Sequence, residues 1–283
     1  MKLLVDVGNS RIKWAFGIAG RFVAGGEVSR DVEASLGDML DSRQVPEEIR
    51  IANVAGADTG IRIAAILQER FRVEPVFARS TAVGAGIRNG YNDPGQLGID
   101  RWLAICGAFS RYQAPVCVVD AGTATTMDLV TVTGEHKGGL ILPGVELMQL
   151  ALLRGTGNLA RLSAGADTGM DSRFPAVGLP NDPVEPRIVL GRDTAAAIRY
   201  GALQATACLA RQCMDELCAD PSVEANPGVL VVTGGAAPDL QVALLRLGGL
   251  RGSGVRQGHR LEHRHQLVLE GLALDPPCFT IAE

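Results

Sequence analysis

Two short stretches place a carboxylate at the end of an apolar run with a glycine just after it. The first is Leu4-Val5-Asp6-Val7-Gly8-Asn9-Ser10, and the second is Val118-Val119-Asp120-Ala121-Gly122-Thr123-Ala124. A β-strand that ends in Asp and turns through Gly sets consecutive backbone N–H groups beside a carboxylate. Together these can hold phosphate oxygens and a hydrated Mg²⁺. Lys13, three residues past Ser10, could add a positive charge to the same phosphates. A plain hairpin turn accounts equally for a lone Asp-x-Gly. Two copies 114 positions apart read instead as an internal duplication. Paired hairpins facing one another across a cleft would grip a triphosphate from both sides, with Asp120, Gly122, Thr123 and Thr125 as the second grip. Thr233-Gly234-Gly235, after the apolar Val229 to Val232, could admit a nucleoside or be only a turn.

A third candidate is Gly98-Ile99-Asp100-Arg101, where a flexible stretch rich in Gly, Asn, Asp and Pro (84 to 98) enters a run with helical apolar spacing. Asp100 at a helix start can be a general base or a helix cap. Arg101 can contact a ligand or form a surface ion pair. Tyr91 can mark a binding surface or pack beneath its loop, and Thr194 can be simply a helix-start residue.

These groups need elements to carry them. Residues 2 to 7 and 11 to 18 read as a hairpin, with a third strand over 21 to 28. Helical spacing over 32 to 40 and 58 to 71 flanks a strand at 49 to 54. A second meander begins at 116 to 120 and 125 to 132, helical spacing returns over 192 to 218, and a buried strand covers 229 to 232. The pattern is α/β, with domains expected at 1–114 and 115–283 and a mobile insertion around 155–190.

Composition narrows the function. With 283 residues, 47% apolar, the chain can bury a sizeable core built from aliphatics. A net charge of −4 offers no general attraction for a polyanion, so nucleic acid is not an expected partner. Asp6 interrupts the first apolar run too early for a secretory signal, and no stretch approaches a membrane span; a cytoplasmic protein with no membrane partner is expected. Six cysteines without a CxxC pair read as reduced thiols, and the five-residue steps Cys208, Cys213 and Cys218 rotate about 140° each on a helix, too scattered for a metal site. No GxxxxGK[ST], no GxGxxG after a strand and no protein-kinase motif set is present. The His- and Arg-rich stretch 251 to 265 reads as a solvated loop or edge-strand face rather than a metal or nucleic-acid site.

In chain order, Asp6-Val7-Gly8-Asn9-Ser10, Gly98-Ile99-Asp100-Arg101, Asp120-Ala121-Gly122-Thr123-Ala124-Thr125, Gly138-Gly139-Leu140-Ile141-Leu142-Pro143-Gly144 and Thr233-Gly234-Gly235 resemble the blocks of type III pantothenate kinase. The resemblance implies two duplicated ribonuclease-H-like domains of the acetate and sugar kinase, Hsp70 and actin superfamily, in a homodimer. It implies that Asp6, Val7, Gly8, Asn9, Ser10, Arg11, Ile12 and Lys13 bind ATP, with Asp6 holding Mg²⁺ through water and Thr123 assisting. Gly98, Ile99, Asp100 and Arg101 would contact pantothenate with Asp100 as catalytic base, and Tyr91 and Thr194 would join them. Asp120 would hold an activating K⁺ or NH₄⁺. Ser10 stands where Thr is more usual, keeping the hydroxyl. The implied reaction is ATP-dependent phosphorylation of pantothenate to 4′-phosphopantothenate, the first step towards coenzyme A. A kinase for another small hydroxylated substrate, an acceptor-independent ATPase and a non-catalytic regulatory accessory factor remain alternatives.

Overall fold

The computed structural model describes residues 1–18, 20–29, 43–155, 188–219, 227–248, 250–251 and 259–281. The expected helix at 32 to 40, most of the expected insertion at 155–190 and Arg256 lie outside these residues.

The chain opens with β1 (Lys2–Val7), β2 (Arg11–Ile18), β3 (Arg21–Ser29) and β4 (Glu48–Asn53), then α1 (Ala57–Phe71) and β5 (Pro75–Arg79). A small hairpin, β6 (Val83–Gly84) and β7 (Ile87–Arg88), leads to α2 (Ile99–Tyr112). A second series follows: β8 (Val116–Ala121), β9 (Ala124–Val130), β10 (His136–Pro143), α3 (Val145–Gly155), α4 (Thr194–Leu217), β11 (Val229–Thr233), α5 (Ala237–Leu247), β12 (Leu250–Arg251) and β13 (His259–His263). The described chain closes with α6 (Leu267–Leu272) and β14 (Thr280–Ile281).

One sheet runs β14-β5-β4-β1-β2-β3 and the other β10-β9-β8-β11-β13-β12. In the first, β1, β2 and β3 form an antiparallel meander, while β4 lies parallel to β1 and β5 parallel to β4. The second repeats that order, with β10, β9 and β8 in sequence and then β11 and β13, which are parallel to each other. The duplicated α/β fold is therefore present as two ribonuclease-H-like sheets. By compactness the chain forms one unit of Met1–Val116, Asp128–Gly138 and His265–Glu283, and another of Cys117–Met127 and Gly139–Arg264.

Alternation explains the first sheet. Leu3, Val5 and Val7 of β1 share a core with Ile12, Trp14 and Phe16 of β2, Ile49 and Ile51 of β4, and Ile63, Leu67 and Phe71 of α1. Leu4 and Ala15, on the opposite face, are fully buried, and α6 packs on β1, β2 and β4. In the second unit β11 is buried along its whole length, as expected of a central parallel strand. The His- and Arg-rich stretch departs from expectation. His259–His263 is an inner strand paired with both β11 and β12, with Leu261 buried, and Leu250–Arg251 forms the edge on that side. Its alternating Leu261 was the sequence sign of a strand with one buried face.

The helix that carries Asp100 is braced from behind. Residues Arg101 to Phe109 of α2 are all buried, and α2 packs on α6. Backbones meet there: a Cβ on Gly271 would lie 2.0 Å from the Leu103 carbonyl oxygen, and one on Gly107 would lie 2.9 Å from the Gly271 nitrogen. The indole N–H of Trp102 donates to the Cys278 carbonyl at 2.6 Å, and Thr81 donates to the same oxygen at 3.1 Å. Buried Arg50 donates to the carbonyls of Leu272 and Leu274, both at 2.9 Å, which secures the segment after α6.

Gly271→Ala should force α6 away from α2. Helix propensity favours Ala by about 1 kcal/mol, but overpacking against backbone that cannot rotate aside costs about 1–3 kcal/mol. A lowered melting temperature, measured by calorimetry, is expected; an unchanged or raised one would contradict the close crossing.

Candidate active site

In the first unit the turn after β1 is closed by the Gly8 N–H donating to the Arg11 carbonyl at 3.0 Å. Asn9 and Ser10 are left exposed at its tip. Val7 and Ile12 pair across the hairpin with both side chains in the core, so they can offer a ligand only backbone. Asp6 is half-buried and pairs directly across from Lys13. Lys13 donates to the His265 carbonyl at 3.4 Å, and Arg11 is ion-paired with Glu27.

The corresponding turn in the second unit is one residue tighter, because the Gly122 N–H donates to the Ala124 carbonyl at 3.1 Å. Thr123 is exposed at its tip, and its carbonyl accepts from the Gly144 N–H at 3.0 Å. A Cβ on Gly144 would sit 2.2 Å from the Gly122 carbonyl oxygen, so only glycine permits this approach. Thr125 does not join the grip expected of it. It is fully buried, and among the described residues its hydroxyl meets no hydrogen-bond partner. Strand alternation turns Thr125 inward while Thr123 stays at the tip. The turn after β11 presses on the same strand end: Gly234, at φ 92°, would place a Cβ 2.5 Å from Asp120 Oδ1, and the Ala236 N–H donates to the Ala121 carbonyl at 3.0 Å. Thr194 begins α4 and is exposed, behind Asp193, whose side chain accepts from the Ala196 N–H at 2.8 Å.

Back in the first unit, the stretch from 84 to 98, read from sequence as flexible, is laced by hydrogen bonds. Asn89 donates to the carbonyls of Thr81 (3.1 Å) and Pro94 (3.3 Å), and its side-chain oxygen accepts from the Tyr91 N–H at 3.0 Å. Gly98, not Asp100, is the N-cap residue of α2, and it makes no side-chain capping bond. Asp100 sits in the first turn, half-buried, with Oδ1 accepting from the Arg101 N–H at 2.8 Å. A Cβ on Gly98 would lie 2.7 Å from that oxygen, which explains the glycine two residues before the acid. Burial pushes the Asp100 carboxyl above its ordinary range and the nearby Asp128 charge adds to this, while the N–H and charge of Arg101 pull the other way.

Arg101 is only 7% exposed and is no surface ion pair. Its Nε and NH2 donate to the two oxygens of Asp128 at 2.8 and 2.7 Å, and its NH1 donates to the Tyr91 hydroxyl oxygen at 2.7 Å. His136 completes the cluster with Nε2 3.0 Å from Asp128 Oδ1 and its ring stacked on Tyr91 at 6.1 Å. The structure thus brings Tyr91, Gly98, Asp100 and Arg101 together in one unit and gathers Asp120, Thr123 and Gly234 in the other. Asp128 and His136 were missed by sequence reasoning. The available sign was an acid inside the apolar run Thr125 to Val132, a position that burial forbids without a partner.

The family model for type III pantothenate kinase matches residues 2–216. A type III pantothenate kinase from Aromatoleum aromaticum is 35% identical over 97% of this chain and 97% of its own length. One from Halorhodospira halophila is 35% identical over 96% of each. Among solved structures, a conserved protein from Campylobacter jejuni described as a Baf family transcriptional activator is similar over 95% of this chain and 94% of its own, with a TM-score of 0.53 and 16% identity, a likeness of fold alone.

Because its carboxyl is raised, Asp100 favours folding most when protonated. That contribution is complete below the unfolded value of about 3.9 and is lost as pH rises through the higher folded value. Asp100→Asn should therefore melt no lower than the parent at neutral pH, with any advantage closing in acid, while kcat falls about 10²-fold or more if the carboxylate is a base. Calorimetry beside turnover checks both; an unimpaired kcat would remove Asp100 from the chemistry.

Proposed function

The chain belongs to the type III pantothenate kinase family, and we propose that it transfers the γ-phosphoryl group of ATP to the primary hydroxyl of pantothenate, giving 4′-phosphopantothenate and ADP. The observation that carries the residue assignment is Asp100, an acid with a raised carboxyl on a braced helix, beside a buried Arg101 that still has donors to offer. As the hydroxyl oxygen attacks, Asp100 accepts its proton, and Arg101 and Tyr91 hold the acceptor in place. Ile99 is buried in the helix and contributes only through backbone. Thr194 is assigned to the same substrate by resemblance.

Phosphoryl transfer is mostly positioning and charge neutralisation. The exposed tip Asn9-Ser10 faces the phosphates, with Gly8 keeping the corner tight, and Arg11 and Lys13 flank it with positive charge. Thr123 is assigned to the same phosphates by resemblance. Asp6, a single half-buried carboxylate, suits a Mg²⁺ that keeps most of its waters. Asp120, a carboxylate beside the close-packed Gly234 turn, is assigned a K⁺ or NH₄⁺ by resemblance. Bound there, a monovalent cation would offset the negative charge of the nucleotide.

A homodimer is part of the proposal. Edge strand β10 exposes Leu140 and Ile141, and the helix that follows exposes Leu147 and Leu152, an apolar surface that a second copy would cover. We place the protein in the cytoplasm with neither nucleic acid nor membrane as partner. Among the described residues no helix is long and apolar enough to cross a membrane.

ADP release, followed with ATP and a panel of small hydroxylated acceptors, should respond to pantothenate above all and require K⁺ or NH₄⁺, with Asp120→Ala losing most of the rate. Release without an acceptor would indicate an ATPase, and a stronger response to another acceptor would reassign the substrate. Equal rates in Na⁺ and K⁺ would refute the cation role.

A further inference from the structure

We propose that Asp128 and His136 are positioning residues that fix Arg101 and Tyr91 in the one arrangement able to read the acceptor. The inference rests on the assignment of Arg101 and Tyr91 to pantothenate.

A lone arginine at a helix start would sample many rotamers, and holding it costs about 2 kcal/mol of side-chain entropy. Here the fork is set in advance. Two parallel bonds to Asp128 define the guanidinium plane, and the third, from NH1, delivers it to the Tyr91 hydroxyl. Among the described residues, the two remaining guanidinium N–H groups meet no acceptor. The Tyr91 oxygen already accepts from Arg101, so its own O–H is left to donate. The pair therefore presents directional donors suited to the carboxylate, amide and hydroxyl oxygens of pantothenate.

His136 locks this arrangement from behind. Its Nδ1 accepts the Gly90 N–H at 3.3 Å, which puts the ring proton on Nε2, and Nε2 then donates to Asp128 Oδ1. Its ring lies within 8° of parallel to the Tyr91 ring and fixes the plane of the phenol. The approach is close enough that a Cβ on Gly90 would sit 1.9 Å from the His136 carbonyl oxygen. His136 is 1% exposed and Asp128 also 1%, so neither serves the substrate directly. Because Asp128 balances the Arg101 charge, recognition depends on donor geometry and not on a general pull that the more highly charged nucleotide would share.

The test uses the full-length protein and the variants Asp128→Asn, His136→Leu and His136→Gln. Steady-state kinetics for pantothenate and ATP are measured beside melting temperature and hydrogen exchange of the Arg101 side-chain Nε–H by ¹⁵N NMR. Asp128→Asn and His136→Leu should raise the pantothenate KM about tenfold or more, as expected for a lost charge-assisted hydrogen bond, with the ATP KM within about twofold. Exchange at Arg101 should quicken in both. His136→Gln, whose amide can still donate to Asp128, should recover most of the pantothenate affinity. An unchanged pantothenate KM in Asp128→Asn and His136→Leu, or a rise in both KM values that tracks lost stability, would overturn the proposal. Should the parent protein fail to phosphorylate pantothenate, the substrate assignment falls. The Arg101 exchange then decides the positioning role alone: quicker exchange in His136→Leu supports it and unchanged exchange overturns it.

Discussion

A guanidinium and a carboxylate withdrawn almost completely from water form the constraint around which the first unit is organised. Desolvating two charges costs several kcal/mol for each ion, and their attraction repays this only with good geometry and further hydrogen bonds. Arg101 and Asp128 have both: a bidentate contact, Tyr91 on one side and His136 on the other. Such a pair tolerates little movement. The α2 helix that begins at Ile99 is accordingly packed against α6 through Gly107 and Gly271 with backbone in contact, and Trp102 is anchored to Cys278. Asp100 inherits that rigidity. Burial that raises its carboxyl weakens it as a permanent ion and eases its taking up a proton.

The two Asp-Gly turns follow a different logic, since a run of backbone N–H groups needs a tight corner and little else. Both meanders carry an acid one residue before the end of their first strand and turn at glycine, but one turn closes a residue earlier than the other. The tighter one is pressed by Gly144 on one side and Gly234 on the other, so three glycines from separate stretches of sequence meet beside Asp120. Side chains are absent there because backbone occupies the space.

Much of this was legible in the sequence. Period-two alternation gave the meanders, apolar helical spacing gave α1, α2 and α4, and the repeated Asp-x-Gly exposed the duplication. Gly98-Ile99-Asp100-Arg101 stood out as a candidate site, though the reason for its first residue, room for the Asp100 carboxylate, required the geometry. Thr125 misled because a hydroxyl in a motif carries no mark of which strand face it takes. Asp128 and His136 stayed hidden because pairing across the fold, over 27 residues to Arg101 and 46 to Gly90, leaves no local pattern. The strand at His259–His263 was obscured by its charge, which masks a single buried leucine.

The fate of the phosphoryl group separates a pantothenate kinase from an ATPase. ³¹P NMR of the protein with ATP, Mg²⁺, K⁺ and pantothenate reads this directly. A new phosphomonoester signal coupled to the protons of the primary CH₂ of pantothenate, growing in step with ADP, is the predicted result. Inorganic phosphate growing with ADP, and no phosphomonoester, would contradict it.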